Sequence, residues 1–140
     1  MERKIVHVVG TGTIGEPLIG ILCEQKSNLG IDEVTFHKQS PLTKDAPKIK
    51  NLIAKGARLA VHEDRVESFK EIGLEPEFTM EEAVSRSSVV IDCTPKGFGH
   101  QNKADFYEKY ADKVKGFLAQ GSENGFGKKY ARGINDHVIN

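Results

Sequence analysis

The stretch IVHVVGTGTIGEPL, Ile5–Leu18, decides the fold. Ile5 to Val9 is a short continuous run of the kind expected for a strand buried on both faces. It breaks at Gly10. From Pro17 to Gln25 the spacing of Leu18, Ile21 and Leu22 puts an apolar stripe on one helical face, and Pro17 suits a first helical turn. Between strand and helix lie Gly10, Gly12 and Gly15, in G-x-G-x-x-G spacing. That spacing is informative only when a strand precedes it and a helix follows, as here. Gly10 permits the tight turn out of the strand. Gly12 lets backbone approach a pyrophosphate, and Gly15 lets the helix pack closely on the strand. The free N–H groups of Thr13, Ile14 and Gly15 then face the phosphates, assisted by the helix dipole. Glu16 departs from the best electrostatics for that site. It either favours the helix N-terminus from solvent or repels the phosphates.

Working outward, strands and helices alternate. Val34 to Phe36, Leu59 to His62, Val89 to Cys93 and Phe117 to Gln120 read as strands. Lys48 to Lys55, ended by Gly56, and Arg65 to Ile72, ended by Gly73, read as helices. Thr79-Met-Glu-Glu82 is a capping box opening a helix through Val84. Asp105 to Tyr110 falls in a further helix, and Ser40 to Ala46 is a polar loop containing Pro41. Such alternation implies an α/β fold of Rossmann-like, doubly wound type. Its mainly parallel sheet would carry helices on both faces, in a single domain over residues 1–140. Ligands of such sheets bind at the carboxyl ends of the strands, where strand order reverses.

DEVTFHKQSP, Asp32–Pro41, addresses which dinucleotide is bound. An acidic residue about 20 positions after the glycines would read the ribose hydroxyl of NAD. Here the strand runs into His37 and Lys38. Positive charge and donors suit a 2′-phosphate, so NADP is expected over NAD. Lysine would act as a point charge rather than a fork, which makes the discrimination modest. Lys44, on the next loop, is placed to contribute.

A second backbone loop is expected at the same sheet edge from VVIDCTPKGFGHQN, Val89–Asn102. Thr94-Pro95 follows the strand, and Gly97 and Gly99 allow close approach to a ligand. Pro95 would offer adenosine a rigid apolar face. Ala119-Gln120-Gly121-Ser122 ends a third strand along that edge. Thr94, Pro95, Gly97, Gln120 and Gly121 therefore join the candidate cofactor-binding residues, with ordinary turn chemistry as the alternative reading.

Twenty basic and twenty acidic residues cancel, which argues against broad nucleic-acid binding. No apolar run approaches the ~20 residues of a membrane span, and no signal-peptide pattern opens the chain. A cytoplasmic protein is expected. The five histidines have no metal-ligand spacing, so no metal site is expected. Cys23 and Cys93 form no redox or metal pattern and read as packed thiols of a reducing compartment. Cys93 closes an apolar strand, with no base placed by sequence to activate it.

Three segments, VVGTGTIG, VVIDCTPKGFGHQNKADFYEKY and VKGFLAQGSENG, together resemble the amino-terminal, nucleotide-binding part of the archaeal-type (type II) glyceraldehyde-3-phosphate dehydrogenases. The second is the most specific, being similar to that family's Asp-x-x-Pro-x-x-x-Gly segment and the helix after it. The third resembles a Gln-Gly-Gly-Glu segment with Ser122 in place of its second glycine. Pro41 to Glu77 is matched only loosely. The resemblance implies an NADP- or NAD-binding domain of a phosphorylating aldehyde dehydrogenase of glycolysis. In such an enzyme a cysteine thiolate attacks the aldehyde, hydride passes to the nicotinamide and phosphate releases the acyl group. That cysteine lies in a Ser-Cys-Asn-Thr-like segment, which this sequence does not contain. GINDHVIN looks like the strand preceding it. The expectation is a cofactor domain whose partner is a catalytic domain absent from this chain, in a possible homo-oligomer, with the 140 residues inactive alone and no catalytic residue among them. The competing readings are a stand-alone nucleotide-sensing or protein-interaction module, and the cofactor domain of another small reductase of the dihydrodipicolinate or homoserine pathways.

Overall fold

A computed structural model describes residues 2–120 and 123–139. Six strands form one parallel sheet: β1 (Ile5–Val9), β2 (Glu33–His37), β3 (Arg58–Val61), β4 (Phe78–Thr79), β5 (Val89–Asp92) and β6 (Gly116–Ala119). Their order across the sheet is β4-β3-β2-β1-β5-β6. The chain moves outward from β1 to β4, crosses back, and continues outward through β5 and β6. Strand order therefore reverses between β1 and β5, and the glycine turn leaves β1 at that point.

The helices are α1 (Gly15–Glu24), α2 (Lys26–Leu29), α3 (Ala46–Ala54), α4 (Val66–Glu71), α5 (Met80–Arg86) and α6 (Phe98–Asn102). They divide between two cores, as a doubly wound sheet requires. Ile19 and Leu22 of α1, Ile49 and Leu52 of α3 and Phe69 of α4 pack on Val8, Val34, Phe36 and Leu59. Met80 and Val84 of α5, with Tyr107, Val114 and Phe126, pack on Val9 and Val90. Val8 and Val9 thus point to opposite layers, the period-2 alternation of a strand covered on both sides.

Most expected elements are found, with boundaries moved by one or two residues. The capping box is formed: Thr79 Oγ1 accepts from the Glu82 N–H at 3.2 Å, and Glu82 Oε2 accepts from the Thr79 N–H at 2.8 Å. Three differences stand out. The helix expected at Asp105–Tyr110 is the end of a longer run in which α6 widens to a π-helix at Lys103–Tyr107 and tightens to a 3-10 turn at Glu108–Tyr110. The strand expected in GINDHVIN is not formed among its described residues, which make a turn and a 3-10 helix over Asp136–Ile139. Side-chain bonds hold that turn: Asp136 Oδ1 accepts from the Gly133 N–H and the Tyr130 hydroxyl. The polar loop Ser40–Ala46 contains a 3-10 turn at Thr43–Asp45 that leads straight into α3.

Candidate functional site

The glycine turn has the geometry its spacing demands. Gly10 has φ +103°, and a Cβ there would lie 3.1 Å from the Cys93 carbonyl, so only glycine lets β1 turn so close to β5. Gly10 N–H donates to the His37 carbonyl at 3.2 Å, tying the turn to the end of β2. A Cβ on Gly15 would come within 2.0 Å of the Gly10 carbonyl oxygen. Gly15 is the contact that lets α1 lie against the strand. Gly12 is different: a Cβ there meets nothing within 4 Å. Its glycine opens the turn's outer surface rather than relieving a clash. Gly12, Thr13 and Ile14 are exposed. Among the described residues the N–H groups of Thr13, Ile14 and Gly15 have no backbone or side-chain acceptor.

Beside the turn, across the reversal of strand order, is a cavity of about 460 Å³. Gly10, His37, Thr94 and Pro95, four of the residues singled out from sequence, line it together with His62 and Phe98. Phe98 is 56% exposed and Ile14 49%, so the cavity mouth and the glycine turn both present apolar surface to solvent.

The loop after β5 is held by Asp92, a carboxylate only 1% exposed. Asp92 Oδ1 accepts from the Thr94 N–H at 2.9 Å and also from the Thr94 hydroxyl. Oδ2 accepts from Asn102 Nδ2 at 3.0 Å and from the Tyr107 hydroxyl at 2.5 Å. Four donors compensate the burial of this charge, and they bind strand end, loop and α6 into one unit. Burial and the neighbouring Asp92 push the Tyr107 phenol far above its ordinary value, so it serves as a permanent donor.

Gly97 has φ +93°, which explains the glycine. Its N–H is already engaged, donating to Glu123 Oε1 at 2.5 Å, so it flanks the cavity without offering a free donor. The Gln120 N–H donates to the Asp92 carbonyl at 3.1 Å, which places Gln120 at the same sheet edge. Gly121 lies outside the described residues.

Two observations bear on the pair expected to read the ribose. His37 is 4% exposed. Burial, followed by repulsion from His7, His62 and Lys38, holds its imidazole well below the usual histidine range. It is a neutral wall of the cavity, 4.9 Å from the His62 ring in an edge-on arrangement, and supplies no positive charge. Lys38 does carry charge but is not free: its side chain is 12% exposed and Nζ is 3.0 Å from Asp45 Oδ2. The Lys38 ammonium beside Asp45 holds that carboxyl below its ordinary value.

Glu16, read from sequence as either facing solvent at the helix N-terminus or repelling the phosphates, is 3.9 Å from Lys48 Nζ. Lys48 also donates to the Thr11 carbonyl at 2.9 Å. Asp45 and Lys48 were not singled out from sequence, and Asp92 entered only as the acid of the Asp-x-x-Pro segment. The i,i+3 spacing of Asp45 and Lys48, and an acid closing a buried strand, are the signals that point to them.

Cys93 is buried, and burial followed by the Asp92 charge pushes its thiol up to about 11, which suits a packed core group and not a nucleophile. Among the described residues no three His, Cys, Asp or Glu side chains gather as a metal-ligand set. No described helix is long and apolar enough to cross a membrane.

The strand order, the glycine turn at its reversal point and the helices on both faces define a Rossmann-like α/β domain. Sequence comparison shows which proteins the chain is similar to. The chain is 34% identical over 120 residues to glyceraldehyde-3-phosphate dehydrogenase of Pyrobaculum arsenaticum, covering 84% of this chain and 31% of that protein. It is 33% identical over 121 residues to the same enzyme of Methanobacterium bryantii, covering 86% and 33%. To that of Methanopyrus kandleri it is 44% identical over 73 residues, covering 49% and 20%. The chain is thus related over most of its length to the archaeal glyceraldehyde-3-phosphate dehydrogenases, and it spans about a third of the length of the curated relatives it matches. No family model matches it. Among solved structures, a universal stress protein from Archaeoglobus fulgidus in complex with dAMP aligns with TM-score 0.37 and 13% identity, covering 85% of this chain and 98% of that one, too distant to bear on function.

Proposed function

We propose that the chain is the nicotinamide-dinucleotide-binding domain of a glyceraldehyde-3-phosphate dehydrogenase-like oxidoreductase. The observation that carries this reading is the open space over Gly12, beside N–H groups of Thr13, Ile14 and Gly15 that have no other acceptor. A pyrophosphate fits such a turn, because bare backbone lets it approach and the α1 dipole favours its charge. The adenosine would occupy the adjoining cavity, between His37 and His62 on one side and Thr94, Pro95 and Phe98 on the other. Bound there, the dinucleotide would supply hydride-transfer chemistry. This chain's contribution is to bind and orient it. The dehydrogenase activity named for the relatives is proposed for the whole protein, not for these residues alone.

NADP is proposed as the preferred form. Lys38 and Lys48 lie beside the end of β2 and the glycine turn, and Lys44 stands on the 3-10 turn between them.

Gly12→Val tests the reading. The substitution puts a branched side chain into open space, so the fold should persist while the pyrophosphate is displaced. Titration calorimetry with NADP should show binding by the wild type and a loss of at least tenfold in the variant, a difference of about 1.4 kcal/mol or more. Undiminished NADP binding by folded Gly12→Val protein would remove the assignment.

A further inference from the structure

The acid that usually reads the ribose is missing from the end of β2, and the cation in its place is already paired. We propose that Asp45 is a specificity-determining residue of the dinucleotide site, one that restrains Lys38 and so limits the preference for a 2′-phosphate over a 2′-hydroxyl. This rests on the dinucleotide reading given above and adds to it a residue from outside the strand.

Three observations carry it. First, Lys38 is fixed: its N–H donates to the Ala60 carbonyl at 3.2 Å, which anchors it beside the end of β3, and its ammonium meets Asp45 Oδ2 at 3.0 Å. Second, among the described residues the Asp45 carboxylate is paired with lysines alone. It precedes α3 but makes no side-chain capping bond there. Third, the same carboxylate reaches towards Lys48, with Oδ1 at 3.9 Å from Nζ, and Lys48 is bonded to the Thr11 carbonyl within the glycine turn. The acid therefore stands between Lys38, which follows the end of β2, and Lys48, which is bonded to the glycine turn.

A 2′-phosphate carries close to two negative charges near neutral pH. To reach Lys38 it must displace or tolerate the Asp45 carboxylate, whose charge opposes it. A ribose hydroxyl faces no such repulsion, and a carboxylate can accept its proton as a hydrogen bond. The pair thus holds one group suited to each form of the cofactor.

The experiment measures dissociation constants of NADP and NAD by calorimetry for wild type, Asp45→Asn, Asp45→Ser and the double variant Lys38→Met/Asp45→Asn. Asn and Ser both suit the residue before a helix, so two variants guard against one that fails to fold. Freeing the Lys38 ammonium from Asp45 to meet the phosphate should raise the NADP-over-NAD preference roughly fivefold, the low end of what a hydrogen bond between charged groups contributes. The gain should shrink at high salt, because the pair is near the surface, and should vanish in the double variant. A preference that is unchanged or reduced in both single variants overturns the role of Asp45 while leaving the dinucleotide site intact. A gain that survives Lys38→Met overturns the proposed route through Lys38. If the wild type binds neither nucleotide, the reading beneath the proposal fails and the proposal falls with it.

Discussion

Two histidines are buried in the sheet without the protonated form in view, and this should make the fold acid-sensitive at an unusually high pH. His7 is fully buried on β1, its Nδ1 2.7 Å from Thr35 Oγ1, and its Nε2 has no partner among the described residues. Burial lowers its pKa from 6.5 to about 3. His37 is shifted in the same direction. In the unfolded chain both imidazoles take up protons near pH 6.5, and in the folded chain they stay neutral. The stability they support is therefore complete above about pH 7 and is lost as pH falls through 6.5. For His7 alone the loss is about 2 kcal/mol at pH 5, approaching a slope of about 1.4 kcal/mol per pH unit. His37 adds to it. The lowered carboxyls of Glu33 and Asp45 act mainly below about pH 5, where carboxylates of an unfolded chain take up protons. The window from pH 6.5 to 5 isolates the histidines. Urea unfolding at pH 7.5, 6.5, 5.5 and 5.0 should be compared between wild type and His7→Val/Thr35→Val, which fills the strand with apolar groups and orphans neither partner. The variant should lose about 2 kcal/mol less than wild type between pH 7.5 and 5. Equal losses in the two proteins would refute the assignment of the acid sensitivity to His7.

Two further outcomes follow from the turn and the strand beside it. Gly15→Ala should destabilise by about 3 kcal/mol or more, since its Cβ would press to 2.0 Å from the Gly10 carbonyl oxygen; thermal melts check this, and a melting temperature equal to wild type would contradict the packing. Cys93 should react with a thiol reagent at pH 7.5 far more slowly in folded than in urea-unfolded protein, because its thiol is buried and raised to about 11; equal rates in the two states would reopen it as a nucleophile.

The alternation of strands and helices was legible because buried parallel strands leave continuous apolar runs such as Ile5–Val9 and Val89–Asp92, and because glycine and the Thr79–Glu82 capping box punctuate the helices. β4 was not legible, since two residues, Phe78 and Thr79, have no periodicity to read. The π-helical widening at Lys103–Tyr107 coincides with the bond from Tyr107 to Asp92, a tertiary contact that local pattern does not encode. The site divided in the same way. The tasks of Gly10 and Gly15 follow from backbone sterics and could be read one by one. The character of His37-Lys38 could not. Adjacent in sequence, the two residues look like one basic pair, yet one is buried as a neutral wall and the other turns to Asp45. Burial of His37 depends on the layer packed over β2, and pairing of Lys38 depends on how the loop from Ser40 folds back.

The four bonds converging on Asp92 bear on the thermodynamics of ligand capture. Thr94, Asn102 and Tyr107 are immobilised by the chain's own carboxylate, so the part of the cavity wall formed by Thr94 and Asn102 is shaped during folding and not by the ligand. An incoming nucleotide then meets a surface whose rotamers and backbone are already restricted, and the entropic penalty of ordering that wall falls on the folding equilibrium instead of the binding one. The calorimetric imprint would be that of a pre-formed pocket: a heat-capacity change set by the surface the ligand itself covers, without the larger contribution that accompanies folding of a loop around it.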